Sequence, residues 1–164
     1  MELTKLFQMQ KELDAYIQEN RKEQTDVFRE KGLALLVELG ELANETRCFK
    51  FWSTKGPSER NVILEEYVDS IHFILSLGIE RGFANVKTWP QSDDTMREKN
   101  MTEVFIMAYE AIVTFLNNPT EENYHIIWQW YDALAFHLQF SNDSIIEAYI
   151  AKNEENYERQ KRGY

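Results

Sequence analysis

The chain has 164 residues, enough for one domain with a proper core, and no shift in composition divides it. Apolar residues make up 43% and only 6 glycines and 3 prolines punctuate the chain, which excludes disorder and a turn-rich β architecture and points to an all-α protein. The net charge of −10 argues against a nucleic-acid polymer as partner, and no apolar run of about 18 residues argues for a membrane span.

The N-terminal MELTKLFQMQKELDAYI is amphipathic and carries acids, so it lacks the basic start and apolar block of a secretory signal and predicts a cytoplasmic protein. Leu6, Met9, Leu13, Tyr16 and Ile17 recur at three- and four-residue steps and predict a first helix that ends in QENRKEQ. Thr25 or Asp26 can cap a second helix through Leu33, Leu35, Leu36, Leu39 and Leu42. Cys48, the single cysteine, reads as a small buried thiol in a reducing compartment. The segment FKFWSTKGPSER breaks the period, and Gly56-Pro57-Ser58 reads as a turn and N-cap ahead of a third helix over about 59–81. That helix is apolar almost all round, so it belongs in the centre of a bundle. The stretch 84–100 has no period and reads as a loop; three further helices follow over about 100–117, 121–140 and 144–160, the second capped by Thr120. The expectation is one all-α domain over 1–164, a bundle of about six helices.

Within LVELGELANE, Glu38 shares a helical stripe with Leu35 and Leu42, where an unpaired carboxylate is costly. EEYVDSIH repeats the device: Glu66 and Asp69 are three apart, as are Glu38 and Glu41, so each pair projects from one face of its helix. Four carboxylates facing one another across a bundle repel unless divalent cations lie between them, and oxygen-only ligation suits Mg²⁺ or Mn²⁺. Mg²⁺ is usually completed by substrate phosphates, which points to phosphoryl chemistry. A di-iron bundle needs acid-x-x-His on two helices; Asp69-x-x-His72 and Glu122-x-x-His125 have that spacing, but the first has Asp for Glu and the second lacks a further acid on its helix before Asp132. At the C-terminus, Lys152, Asn156 and Arg159 recur at four and three residues and so share a face able to grip phosphates, within a locally basic tail, YERQKRGY.

These residues resemble the all-α nucleoside triphosphate pyrophosphohydrolases, marked by E-x-x-E and E-x-x-D helices, and more closely the dimeric dUTPases. Glu38-x-x-Glu41, the 24 residues from 42 to 65, then Glu66-x-x-Asp69 is similar to the core signature. Phe49-Lys50-Phe51-Trp52 resembles the loop that closes on the base, and Lys152-Asn153-x-x-Asn156-x-x-Arg159-Gln160-x-x-Gly163-Tyr164 resembles the phosphate-binding C-terminal segment. The resemblance implies Mg²⁺-dependent hydrolysis of dUTP, and of dUDP, to dUMP by a homodimer, with pyrophosphate released from dUTP. It implies metal ligation by Glu38, Glu41, Glu66 and Asp69, with Glu41 the candidate for taking the proton of the attacking water. It places Gln10, Asp14, Trp52 and His72 at the base and sugar, and Lys50, Lys152, Asn156, Arg159 and Tyr164 at the phosphates. The family often has Asn where Asp14 stands. Two rivals are a related pyrophosphohydrolase for dCTP or non-standard nucleotides, with the same acids but another base pocket, and a non-catalytic helical interaction protein. No pattern assigns a regulatory protein partner.

Overall fold

A helix that is apolar on every side needs neighbours on every side, and α3 (Arg60–Arg81) has them: α2 (Phe28–Thr46), α1 (Thr4–Glu19) and α7 (Asn142–Lys161) all pack against it. Residues 1–20 and 26–163 of the chain are described by a computed structural model. The remaining described helices are α4 (Asp94–Arg97), α5 (Met101–Asn117) and α6 (Glu121–Leu138), which makes seven rather than the six expected. The additional helix, α4, is one turn within the stretch read as a loop, too short to show a 3.6-residue period. It forms because the Asp93 carboxylate accepts from the Met96 N–H at 2.9 Å.

Two other helix starts differ from the sequence reading. Glu59, not Ser58, is the N-cap residue of α3, because Ser58 is drawn to α2: its N–H donates to the Glu45 carbonyl at 3.0 Å and its hydroxyl to the Glu45 carboxylate. Helix α7 begins at Asn142, where the Ser141 hydroxyl oxygen accepts from the Ser144 N–H at 3.2 Å. Thr120 caps α6 as its sequence signals. Thr25 lies outside the described residues, while Asp26 accepts from the Phe28 N–H at 3.0 Å.

Helices α2 and α3 run antiparallel, tied by Glu45–Ser58 at one end and by Lys31–Glu80 (2.6 Å) at the other. Helix α5 lies antiparallel on α2: Thr102 donates to the Cys48 carbonyl, Tyr109 to that of Leu36 at 3.0 Å, and Arg29 to that of Leu116 at 2.9 Å. Cys48 is accordingly half-buried rather than fully buried. Helix α6 covers α5, and its Tyr124, Trp128 and Tyr131 are fully buried with Tyr67 and Phe115. Burying such rings stabilises by about 1.5–3 kcal/mol each, provided their polar tips are satisfied. Two of them are, Tyr67 donating to the Tyr131 carbonyl at 2.8 Å and Tyr124 to that of Ile74 at 2.9 Å, while Trp128 Nε1 and the Tyr131 hydroxyl have no hydrogen-bond partner among the described residues; nearby, the Trp89 indole donates to the Trp128 carbonyl at 2.9 Å. The residues before α1 are pinned by the Leu3 N–H on the Lys87 carbonyl at 2.7 Å. Among the described residues, no helix is long and apolar enough to cross a membrane.

Tyr124 of α6 packs directly on Gly78 of α3, since a Cβ there would meet its hydroxyl and ring. Gly78→Ala is therefore expected to displace a buried tyrosine from its hydrogen bond and to cost about 1–3 kcal/mol, the usual range for overpacking. Urea unfolding of the variant measures this, and an unchanged midpoint and slope would mean the ring gives way freely.

Candidate active site

The apolar stripe of α2 carries Glu38 inward. Leu35, Leu39 and Leu42 are fully buried, and Glu38, on the same side of the helix, is left half-buried between them and the solvent. On α3, buried Tyr67, Val68 and Ile71 do the same for Glu66 and Asp69, both half-buried. The antiparallel pairing sets the two acidic turns level, so that one carboxylate oxygen from each of Glu38, Glu66 and Asp69 lies within 4.8 Å of the others. Glu41, the fourth expected acid, is exposed and stands outside this close group, near enough to Glu38 to raise its proton affinity.

Crowding shows in the proton affinities. Burial, then the charges of Asp69 and Glu41, push the Glu38 carboxyl up to about 7. Glu66 is raised for the same reasons, by burial first and then by Asp69 and Glu41. Burial also raises Asp69, but Lys152 pulls it back. The Lys152 ammonium, buried on α7, lies 2.8 Å from Glu65, 3.0 Å from Asp69 and 3.7 Å from Glu155. Burial works against its charge, and the hydrogen bonds to Glu65 and Asp69 outweigh that, so its pKa is raised.

A cleft of about 390 Å³ runs from Glu38 and Asp69 along the groove between α1, α3 and α7. That volume is in the range that holds a small organic ligand. Lys152, Asn156 and Arg159 line its α7 side, as their spacing predicts, and Arg159 is paired with Glu155. Gln10, Asp14 and His72 also line it.

These last three belong to one hydrogen-bonded chain whose directions follow from a single residue. A carboxylate only accepts, so Asp14 turns the Gln10 amide N–H towards itself, at 2.8 Å. The Gln10 oxygen then faces the other way and accepts from the Tyr149 hydroxyl at 2.9 Å and from His72 Nδ1 at 2.7 Å. His72 therefore carries its proton on Nδ1, stacked on Tyr149 at 4.1 Å between centroids, and keeps a lone pair on Nε2, which is buried without a partner among the described residues. Burial, then Lys152, lowers its pKa to about 3, so the ring is neutral. The Ser76 hydroxyl donates to the other Asp14 oxygen at 2.6 Å.

Two expected residues lie elsewhere. Lys50 and Trp52 sit in the loop after α2, where Lys50 donates to the Asn44 amide oxygen and Trp52 is 66% exposed beside Phe49 and Phe51. Neither lines the cleft. Tyr164 lies outside the described residues. Conversely, sequence reasoning passed over Lys31, Ser76, Glu80 and Tyr149, all at this site. Lys31 and Ser76 had a signal: they stand seven residues from Glu38 and Asp69, hence on the same helix faces. Tyr149 had the same signal, seven residues before Asn156 on α7, although only the packing of α7 on α1 brings it to Gln10.

The shift of Glu38 has a thermodynamic consequence. Its carboxyl binds a proton up to about pH 7 when folded but only to about 4.5 when unfolded, so its contribution to stability is full below pH 4.5 and is lost as pH rises through about 7. His72 acts oppositely, its contribution being full above pH 6.5 and lost as pH falls through about 3. Because the two overlap, the difference between wild type and Glu38→Gln isolates the first. In chelator-containing buffer, Glu38→Gln is expected to gain stability relative to wild type as pH rises from about 4.5 to about 8. Urea unfolding across that range reads it, and a constant difference would show that the acids do not press on Glu38.

A family model described as dUTPase matches residues 2–164, nearly the whole chain. A search of curated proteins gives no match. The acidic E-x-x-E and E-x-x-D helices, brought level at one end of a nucleotide-sized cleft, thus stand in a chain that belongs to the dUTPase family, an all-α dUTP diphosphatase.

Proposed function

We propose that the cleft binds dUTP with its phosphates at the Glu38–Asp69 end and its base at the Asp14–Ser76 end, and that hydrolysis to dUMP and pyrophosphate depends on Mg²⁺ or Mn²⁺. dUDP is a second substrate in this reading. The observation that carries it is the meeting of three half-buried carboxylates from two helices within 4.8 Å. Ligand oxygens opposite one another on an ion at 2.0–2.6 Å are about 4–5 Å apart, and the donor set is oxygen only, so Glu38, Glu66 and Asp69 fit a hard divalent cation.

When bound, the cation supplies charge neutralisation for the phosphates and lowers the pKa of a water. Glu41 is outside the close group and exposed, so it retains lone pairs to take the proton of the attacking water. Lys152, Asn156 and Arg159 hold the phosphates, the arginine through its forked N–H groups. The Nε2 of His72, without a partner among the described residues, accepts a hydrogen bond from the sugar hydroxyl, which satisfies a buried acceptor and holds the ring of the sugar against α3.

The exposed loop calls for a second protomer. Trp52 lies in the loop ahead of α3 and does not line its own cleft, and Arg60 to Ser76 alone is 16 residues or about 24 Å of helix, which sets that loop apart from the base end of the cleft. A homodimer is supported by the exposed apolar side chains Leu33 and Val37 on α2 and Ile106 and Val113 on α5. In it, Trp52 stacks on the base in the partner's cleft, and Lys50 reaches towards its phosphates.

Four experiments test this reading. Asp69→Asn is expected to reduce dUTP turnover to background with helix content unchanged, and wild-type turnover in EDTA would remove the metal from the mechanism. Trp52→Ala is expected to weaken dUTP binding by about 1–3 kcal/mol, the value of one base–aromatic stack. Mixing the Asp69→Asn and Trp52→Ala chains then restores one intact site per heterodimer. A mixture no more active than its components would place Trp52 outside the partner's site.

A further inference from the structure

We propose that Lys31 reads the base, completing with Gln10 and Asp14 a donor–acceptor–donor row that matches the acceptor–donor–acceptor edge of uracil. The proposal rests on the reading of the cleft as the nucleotide site. Lys31 is seven residues before Glu38 on α2, and Ser76 is seven after Asp69 on antiparallel α3. Both spacings amount to about 10 Å of helix, the distance from a phosphate across a deoxyribose to a base. Lys31 therefore lines the cleft where the base edge arrives.

The row is already ordered. The Lys31 ammonium lies 2.6 Å from Glu80 and 3.6 Å from Asp14 Oδ2. Its hydrogen bond to Glu80 takes one of three N–H donors, and the side chain is 20% exposed, so it faces the cleft without being loose. Each Asp14 oxygen has accepted one hydrogen bond, from Gln10 or Ser76, and has a further lone pair. The Gln10 amide, its oxygen held by Tyr149 and His72, has a second N–H. Uracil meets this row with its two carbonyl oxygens on Gln10 and Lys31 and its N3–H on Asp14. Cytosine opposes its bare N3 to the Asp14 carboxylate and its amino group to the Lys31 ammonium, two mismatches that reject it. The Lys31 ammonium beside the Asp14 carboxylate supplies both its counter-charge and the second donor of the row.

The test compares kcat/KM for dUTP and dCTP, and Kd for dUMP and dCMP, in wild type, Lys31→Met and Lys31→Arg. Loss of one charged hydrogen bond predicts that Lys31→Met lowers the uracil-to-cytosine ratio in both measurements by about 10–100-fold, mostly through the uracil nucleotides. Lys31→Arg, which keeps a cationic donor, is expected to recover most of it. A Lys31→Met protein with a lower Tm but an unchanged ratio would overturn the proposal and leave Lys31 as a counter-charge for Asp14 and Glu80. Should Lys31→Met not fold, Lys31→Leu, which also removes the donor, gives the same reading from the same ratio. A wild type that binds no nucleotide would overturn the reading of the cleft itself; a uracil-selective wild type with an unchanged Lys31→Met ratio overturns the role of Lys31 alone.

Discussion

Three carboxylates held half out of water between two helices need positive charge, and much of the site follows from that need. Full charges about 4 Å apart repel by about 4 kcal/mol at an effective dielectric near 20, a cost comparable to that of a poorly filled core position. The chain meets part of it by raising the proton affinity of Glu38, Glu66 and Asp69, and part by bringing Lys152 in from α7. The lysine is itself buried and is held by Glu65 and Asp69, so the last helix is coupled electrostatically to α3. That coupling orients the face that also carries Asn156 and Arg159.

A second acid organises the other end of the cleft by a different route. Asp14 sits among hydrogen-bond donors rather than other acids, and being acceptor-only it dictates the direction of each bond in turn, through Gln10 to Tyr149 and His72. Acids in one molecule thus have opposite roles: those of the cluster are crowded and collect cations, whereas Asp14 is surrounded by donors and polarises a network. Directional order of this kind is what base recognition requires, since pyrimidines differ in the sequence of donors and acceptors along one edge.

Both arrangements stand on rigid supports. Every cleft-lining helix, α1, α2, α3 and α7, also contributes fully buried side chains to the common core. The packing of Tyr124 on Gly78 and the hydrogen bonds of Tyr67 and Tyr124 to backbone carbonyls leave α3 little freedom to shift. Side chains on such helices are placed more precisely than side chains on loops. The aromatic loop of Phe49, Phe51 and Trp52 is the exception, presented outward from the end of α2.

Periodicity alone determined the long helices and the central place of α3, because a 3.6-residue stripe in a chain this apolar has few other ways to be buried. The two acidic turns were equally legible, since an acid among leucines at helical spacing is a local conflict that needs no tertiary knowledge to notice. The one-turn helix α4 was not, because it depends on a single capping carboxylate and shows no period. Tertiary structure decided the rest. Which three of the four acids close up depends on the rotation of α2 against α3, and which residue neutralises Asp69 depends on α7 returning 83 positions later with Lys152. That Trp52 does not line its own cleft follows from the antiparallel course of α2 and α3, which leaves their connecting loop at one end. Sequence spacing within a helix determines which side chains share a face. Only the packing of helices distant in the chain determines what that face meets.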